Sequence, residues 1–345
     1  MAYISFQPSD YFNTKLWTGT GSENAQTGVG FQPDFTWIKR REVNSHRLFD
    51  AVRGATKLLE SDATAAETTD AQELKSFDSD GFTLGTATKV NANGGTYASW
   101  NWKAGTTSGL SGGTITPSAY SFSTTAGISI IKYTGNSTQG ATIAHGLGVA
   151  PKMIFIKSTS HAEKWVVGHA GINPGNSWDY YLHLNETSTA GQNNNRFGNV
   201  YPTTSVFTLG SEDQVNGNKT YIAYVFAPIK GFSAMGAYTG TGSADGAYVY
   251  TGFKPAFVLI KSSSTAMYWH IFDNKRLGYN PYNYRLNPNA SEAETTTTNH
   301  VDLLSNGFKI KTDQQQFGTN GANYIYMAFA AEPLVSSNNI PATAI

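Results

Sequence analysis

Any chemistry in this chain must come from imidazoles, carboxylates, hydroxyls, amines and guanidinium groups, without thiols, because its 345 residues include no cysteine. Thiolate catalysis, disulfide staples and zinc–thiolate sites are therefore excluded. The histidines are His46, His145, His161, His169, His183, His270 and His300. No pair stands in a His-Glu-x-x-His frame. His169 and His183 could meet across strands, but no carboxylate sits at a diagnostic spacing from them. Solvent-facing or hydrogen-bonded histidine is the expected state. Asp78-Ser79-Asp80-Gly81 is a fragment of a calcium loop without the remaining oxygen ligands, and the matching Leu304-Ser305-Asn306-Gly307 is a plain hairpin turn. Gly19-Thr20-Gly21 and Gly240-Thr241-Gly242 have the composition of phosphate loops. No helix and no Gly-Lys-Ser/Thr follows them, so they read as turn glycines.

Two further sets of residues could act on a ligand. Leu48-Phe49-Asp50-x-x-Arg53 matches Ile271-Phe272-Asp273-x-x-Arg276. A carboxylate and a guanidinium at fixed spacing could hold a substrate, but a structural ion pair bracing a strand end is the simpler reading. The corresponding Val167-Gly168-His169 lacks both groups, and a shared catalytic group would not be dropped so casually. The second set is aromatic. Trp178, Tyr180, Tyr181 and Arg196 cluster in one segment, and Tyr279, Tyr282, Tyr284 and Arg285 in another, each among asparagines. Ring faces stack on the apolar faces of sugars, and Asn, Asp and Arg satisfy hydroxyls, so these eight residues are the candidate glycan or receptor contacts. Core or inter-domain packing is the competing account. A glycan-cleaving enzyme would need paired carboxylates ~5–10 Å apart in a groove. Asp78 with Asp80, Glu212 with Asp213 and Glu292 with Glu294 are only sequence neighbours in turns or loops.

The elements that must position these residues recur three times. Trp17-Thr18-Gly19, Tyr133-Thr134-Gly135 and Tyr238-Thr239-Gly240 each open a unit. Pro33 to Lys39, Pro151 to Lys157 and Pro255 to Lys261 follow, and Tyr97 to Trp102, Tyr221 to Phe226 and Tyr324 to Phe329 close them. A period near 100 residues is a whole small domain rather than a solenoid turn. The apolar runs are short, β-branched and aromatic, as in Met153-Ile154-Phe155-Ile156, and Asp80-Gly81, Asn93-Gly94, Asn216-Gly217 and Asn306-Gly307 separate them. The expected fold is all-β, three tandem antiparallel β-sandwich-like repeats. The expected divisions are 1–105, 127–230 and 231–333, with a linker or intersubunit arm at 106–126 and a loose polar tail at 334–345. Residues 63–74 are expected to form a loop or one short helix. Trp37, Phe155 and Phe257 are expected at equivalent or near-equivalent core positions, as are Trp102, Phe226 and Phe329.

Lys and Arg total 24, as do Asp and Glu, and no basic run exists. The electrostatic footprint of a nucleic-acid binder is therefore missing. No apolar run is long enough to span a membrane, and Met1 to Pro8 has neither a basic nor an apolar signal region. Export is expected by lysis or as part of a particle, after synthesis in a reducing cytoplasm.

Several phrases carry a resemblance. They are Phe6-Gln7-Pro8-Ser9-Asp10-Tyr11-Phe12-Asn13-Thr14-Lys15-Leu16-Trp17, the run from Gly28 to Lys39, Phe77-Asp78-Ser79-Asp80-Gly81-Phe82-Thr83-Leu84-Gly85, and Gly146-Leu147-Gly148-Val149-Ala150-Pro151. Over residues 6–333 the chain resembles the repeated domains of tailed-bacteriophage tail-fibre or tail-tip proteins. The resemblance implies a non-enzymatic virion structural protein in host attachment, with other tail proteins and a host-surface glycan or protein as partners. It transfers no catalytic motif and no cofactor. The absence of a separate anchoring domain or shaft keeps a virion adaptor or head-decoration protein as the alternative, and a glycan-degrading tail enzyme as the third reading. Fibre tips close around threefold axes, which covers β edges, so a homotrimer is expected.

Overall fold

The computed structural model describes residues 6–175, 177–297, 299–332, 334–335 and 341–342. Among these the fold is all-β, with antiparallel sheets and only single-turn helices, α at Thr88–Asn91 and Asp213–Asn216 and 3₁₀ at Pro8–Asp10 and Ser177–Asp179. The first unit contributes β1 (Phe12–Thr18), β2 (Phe35–Arg40), β3 (Arg47–Asp50) and β4 (Thr96–Trp102). The second contributes β5 (Ile128–Thr134), β6 (Met153–Ser158), β7 (Val166–His169) and β8 (Thr220–Phe226). The third contributes β9 (Ser233–Thr239), β10 (Pro255–Ser262), β11 (Trp269–Asp273) and β12 (Asn323–Ala330). The main sheets run β1-β4-β2-β3, β5-β8-β6-β7 and β9-β12-β10-β11, one order used three times. A smaller sheet lies against each. It is formed by Asn24–Gln26, Leu74–Asp78 and Gly81–Leu84 in the first unit, and by Ala141–Ala144 with Val206–Leu209 in the second. In the third it is formed by Tyr248–Tyr250, Val301–Leu304 and Gly307–Ile310.

Alternation along the strands explains why each main sheet has no wet face. In β2, Ile38 packs with Phe82, Leu84 and Tyr97 against the small sheet. Phe35 and Trp37 point the other way, into a core shared with the other units. Ile154 and Ile156 against Met153 and Phe155 repeat this division in β6. Trp102, Phe226 and Phe329 meet at the centre, with ring centroids 6.3, 6.0 and 5.6 Å apart in the three pairings. The expected equivalence of those three rings holds. For the other set, register is more exact. Phe35, Met153 and Phe257 lie opposite the three central rings, while Trp37, Phe155 and Leu259 lie one inward step further along. Phe257 is thus two residues out of step with Trp37 and Phe155, on the same face.

The same stacked pair closes the far end of every unit. Trp17–Tyr97, Tyr133–Tyr221 and Tyr238–Tyr324 stack at 5.3, 5.1 and 4.9 Å. Gly19, Gly135 and Gly240 pass so close to the backbone of Ala92, Gly217 and Thr319 that a Cβ has no room. That accounts for the glycines with phosphate-loop composition.

Three stretches gain detail beyond the bare expectation. Residues 106–126 hold a strand, Ala119–Ser123, that pairs with β5, and Ile115 bridges to Ile143. This stretch lies on the second unit of its own chain. Residues 63–74 form the loop of the two expected alternatives, with one two-residue strand, Thr68–Thr69, paired to Lys57–Leu58. In the tail, Leu334–Val335 pairs with Pro341–Ala342, and the remaining tail residues lie outside the described ones.

Candidate functional site

The Asp–Arg motifs are built into the seams between units. Arg53 binds Asp50 through its backbone N–H and its Nε, and also donates to the Leu48 carbonyl. Arg276 makes the same contacts to Asp273 and the Ile271 carbonyl. Both pairs are buried, where an unpaired charge would be costly. A neighbouring unit completes each one. The Tyr224 hydroxyl of the second unit donates to Asp50, and Trp100 Nε1 of the first unit donates to Asp273 over 3.1 Å. The Arg276 guanidinium also lies over the Trp100 ring. His169, which replaces the acid in the second unit, donates its Nε2–H to the Tyr326 carbonyl of the third at 3.2 Å. Its Nδ1 accepts from Gly171 N–H, and burial lowers its pKa to about 4, so the ring is neutral.

The units therefore contact one another in a closed cycle, first to second, second to third and third to first. Backbone bonds repeat it. Glu67 N–H donates to Thr159 O, Ala190 N–H to Ser263 O and Glu294 N–H to Arg41 O. The indole N–H groups of Trp165 and Trp269 donate to the Glu60 and His183 carbonyls of the preceding unit. At the third seam His46 occupies the equivalent position and lies beside the Asn287 backbone.

The remaining chemical candidates have structural partners. His183 bonds the Trp165 carbonyl, so His169 and His183 serve different backbone groups. No group of three or more metal-type ligands occurs among the described residues. Asp78 accepts from Ser76 and Thr83, and Asp80 accepts the N–H groups of Gly28 and Gly30. Glu212 pairs with Arg196 and Asp213 with Lys219. Glu292 accepts from Asn287, and Glu294 bridges Arg41 and Arg276 across a seam.

The candidate aromatic contacts divide. Trp178 is buried in the second sandwich, edge-on to Phe197 at 5.3 Å, and cannot offer its face to a sugar. Tyr282 is buried in the third unit, where its N–H donates to the Val301 carbonyl. These two correct the expected binding set. Arg196 is buried 4.8 Å above the Tyr181 ring. Tyr180 and Tyr181 are half-buried, and Arg41 lies over the Tyr284 ring. Arg285 is half-buried and touches His300. Tyr279 alone of the eight is well exposed, at 66%.

Four exposed tyrosines lie outside that set, Tyr201, Tyr248, Tyr250 and Tyr268, and two of them share a strand. Tyr248 and Tyr250 flank buried Val249 on the edge strand of the third small sheet and are 46% and 65% exposed. Their period-two spacing, Tyr-Val-Tyr, is the signal that puts both on one face. Tyr250 stands opposite Gly307, and Leu304 stands opposite Gly307 from the other side. Asn280, next to Tyr279, makes a double hydrogen bond to the Leu303 backbone at 3.0 and 2.8 Å. Tyr250, Gly307 and Leu304 thus share one register level across the sheet, and Gly307 is buried where a Cβ would strike the Val249 carbonyl. Ion pairs of Lys309 with Asp245 and Lys311 with Asp302 neutralise the charges beside it.

No helix among the described residues is long and apolar enough to cross a membrane. The family DUF7483, described as a domain of unknown function, matches residues 7–333. No curated protein and no solved structure matches the chain.

Proposed function

We infer that this chain, which belongs to the DUF7483 family, is a non-enzymatic structural protein of a bacteriophage virion, a tail-fibre or tail-tip component in host attachment. The closed cycle of three units around a shared aromatic core carries this reading. Repetition is spent on one stiff body, and the paired acids and arginines at its seams are used to lock the units together. Stiffness of this kind suits a part that transmits load in a particle. The outer faces are free to diverge: the third unit places Tyr248, Tyr250, Tyr268 and Tyr279 outward, the second Tyr201. A neutral, tyrosine-lined face fits a saccharide better than a charged polymer. Single sugar contacts are weak, so attachment would draw on many copies.

The burial of Trp178 and Tyr282 favours, as a second reading, an adaptor or head-decoration protein without a receptor role. Gold-labelled antibody against the chain on intact particles separates these. Labelling at the tail tip, with adsorption blocked by the antibody, supports attachment. Labelling on the head, with adsorption intact, supports decoration. Absence of the chain from purified particles overturns both.

A further inference from the structure

In the first unit Arg47 and Glu73 face each other inside the sandwich at 3.6 Å, both buried. Register identifies their counterparts in the third unit. Arg47 lies opposite Ile38 as His270 lies opposite Ile260, and Glu73 and His300 each precede the residue that opens the next small-sheet strand. The buried ion pair is therefore replaced by two histidines. Phe317 lies between them, with ring centroids 4.6 Å from His270 and 4.8 Å from His300. Arg285 joins the group through a 3.3 Å contact from its Nη1 to His300 Nε2.

The polar atoms of this group are incompletely used. His300 Nε2 accepts from Arg285, which leaves a proton on Nδ1, and that buried N–H has no partner. Arg285 Nε is likewise buried and unpartnered. His270 donates its Nδ1–H to Asn287 Oδ1 at 2.9 Å, so its unpartnered Nε2 is an acceptor. Buried donors left open are costly enough that native structures fill them. The acid facing Arg285 is Glu292, whose carboxylate accepts from Asn287. His300 stands where Glu73 stands in the first unit, so no carboxylate occupies that place in the third. The histidines are fully covered, while Arg285 is partly exposed.

We propose that His270, Arg285 and His300 form a binding site for one small oxyanion or carboxylate, which supplies the negative charge that Glu73 supplies in the first unit. Oxygens of the anion accept from Arg285 Nε–H and His300 Nδ1–H, the first a charge-assisted bond. His270 Nε2 receives the O–H of a protonated oxyanion or takes up a proton on binding. The groups facing His270 are Arg285, His300, Lys261 and Asn287, and the charge facing His300 is Arg285. A bound anion offsets this positive surrounding, so affinity rises as pH falls. The site stands independently of the attachment reading.

The free-ion and sugar-acid sources are separated by titrating the full chain with sulfate, phosphate and glucuronate at constant ionic strength against chloride. Melting temperature and the ring-nitrogen resonances of isotopically labelled histidine are the readouts. The melting temperature should rise with at least one of these anions, the His270 and His300 signals should move, and Arg285→Gln should weaken binding about tenfold or more, the scale of one charged hydrogen bond. Binding of sulfate or phosphate alone marks a free-ion site, and binding of glucuronate marks one that reads acidic sugars. If Arg285→Gln fails to fold, the wild-type histidine signals decide alone. Signals that respond to none of the three anions beyond chloride overturn the proposal and leave the group to ordered water.

Discussion

The hydroxyl of Tyr224 lies 2.6 Å from Asp50 Oδ2, so a tyrosine of the second unit completes the hydrogen bonding of a buried ion pair in the first. Asp50 and Arg53 are both fully covered. Tyr224→Phe removes the donor and leaves an under-bonded buried carboxylate. It should cost about 1–3 kcal/mol in chemical denaturation, and Trp100→Phe should do the same at the Asp273 seam. A loss under about 0.5 kcal/mol for both would mean the seams do not depend on these donors.

Because the central rings are shared, the chain should unfold as one unit. Trp102→Ala or Phe329→Ala should cost roughly 3–5 kcal/mol, with a single coincident transition by circular dichroism and fluorescence. Excised residues 127–230 would expose Ile130, Phe155, Tyr224 and Phe226 of the shared core, and should not give a native-like melt. Independent folding of that fragment would show that the seams are dispensable.

Lys39, Lys157 and Lys261 stand at the same inward step of β2, β6 and β10, all buried. Burial lowers them to about 8, 8 and 7. An unfolded lysine titrates near ~10.4. Between these values the unfolded chain binds more protons than the folded one, so stability should rise with pH from about 7 to about 10. Lys261→Met removes one titrating group and should flatten that rise. A stability flat over this window, or falling through it, would refute the assignment.

Attachment should depend on rings that are exposed. Tyr250→Ala with Tyr279→Ala should abolish particle adsorption while leaving the melting temperature within a few degrees, since surface changes of this kind usually stay within ~0.5 kcal/mol. Trp178→Ala should instead cost about 3–5 kcal/mol, as loss of a core ring does. Adsorption that survives the Tyr250/Tyr279 pair would leave the purely structural reading as the better one.

The expected homotrimer rested on sheet edges needing cover from other subunits. Much of that cover is made inside one chain, where Glu67, Ala190 and Glu294 bond the next unit in turn. Light scattering of the purified chain measures whether a further threefold assembly forms from the outer faces.

The all-β class and the landmark residues were legible in the chain itself, because strand alternation and turn glycines are local in sequence. Tyr97 to Trp102, Tyr221 to Phe226 and Tyr324 to Phe329 each became an interior strand at the same place in the sheet order, stacked at one end and central at the other. The identity of the partners across the seams was not legible. Nothing near Asp50 announces Tyr224, 174 residues away, because which faces meet depends on how three sheets pack. The same ambiguity misled the reading of the inserts. Trp178 and Tyr282 have the composition of a binding surface, yet only packing decides whether a ring faces solvent or fills a sandwich. Tyr248 and Tyr250 show the converse, since they are ordinary strand residues by type and become a surface because Val249 between them takes the inward side. Composition and period determined the elements, while the closure of three sheets on one aromatic centre decided which side chains remained available to do anything.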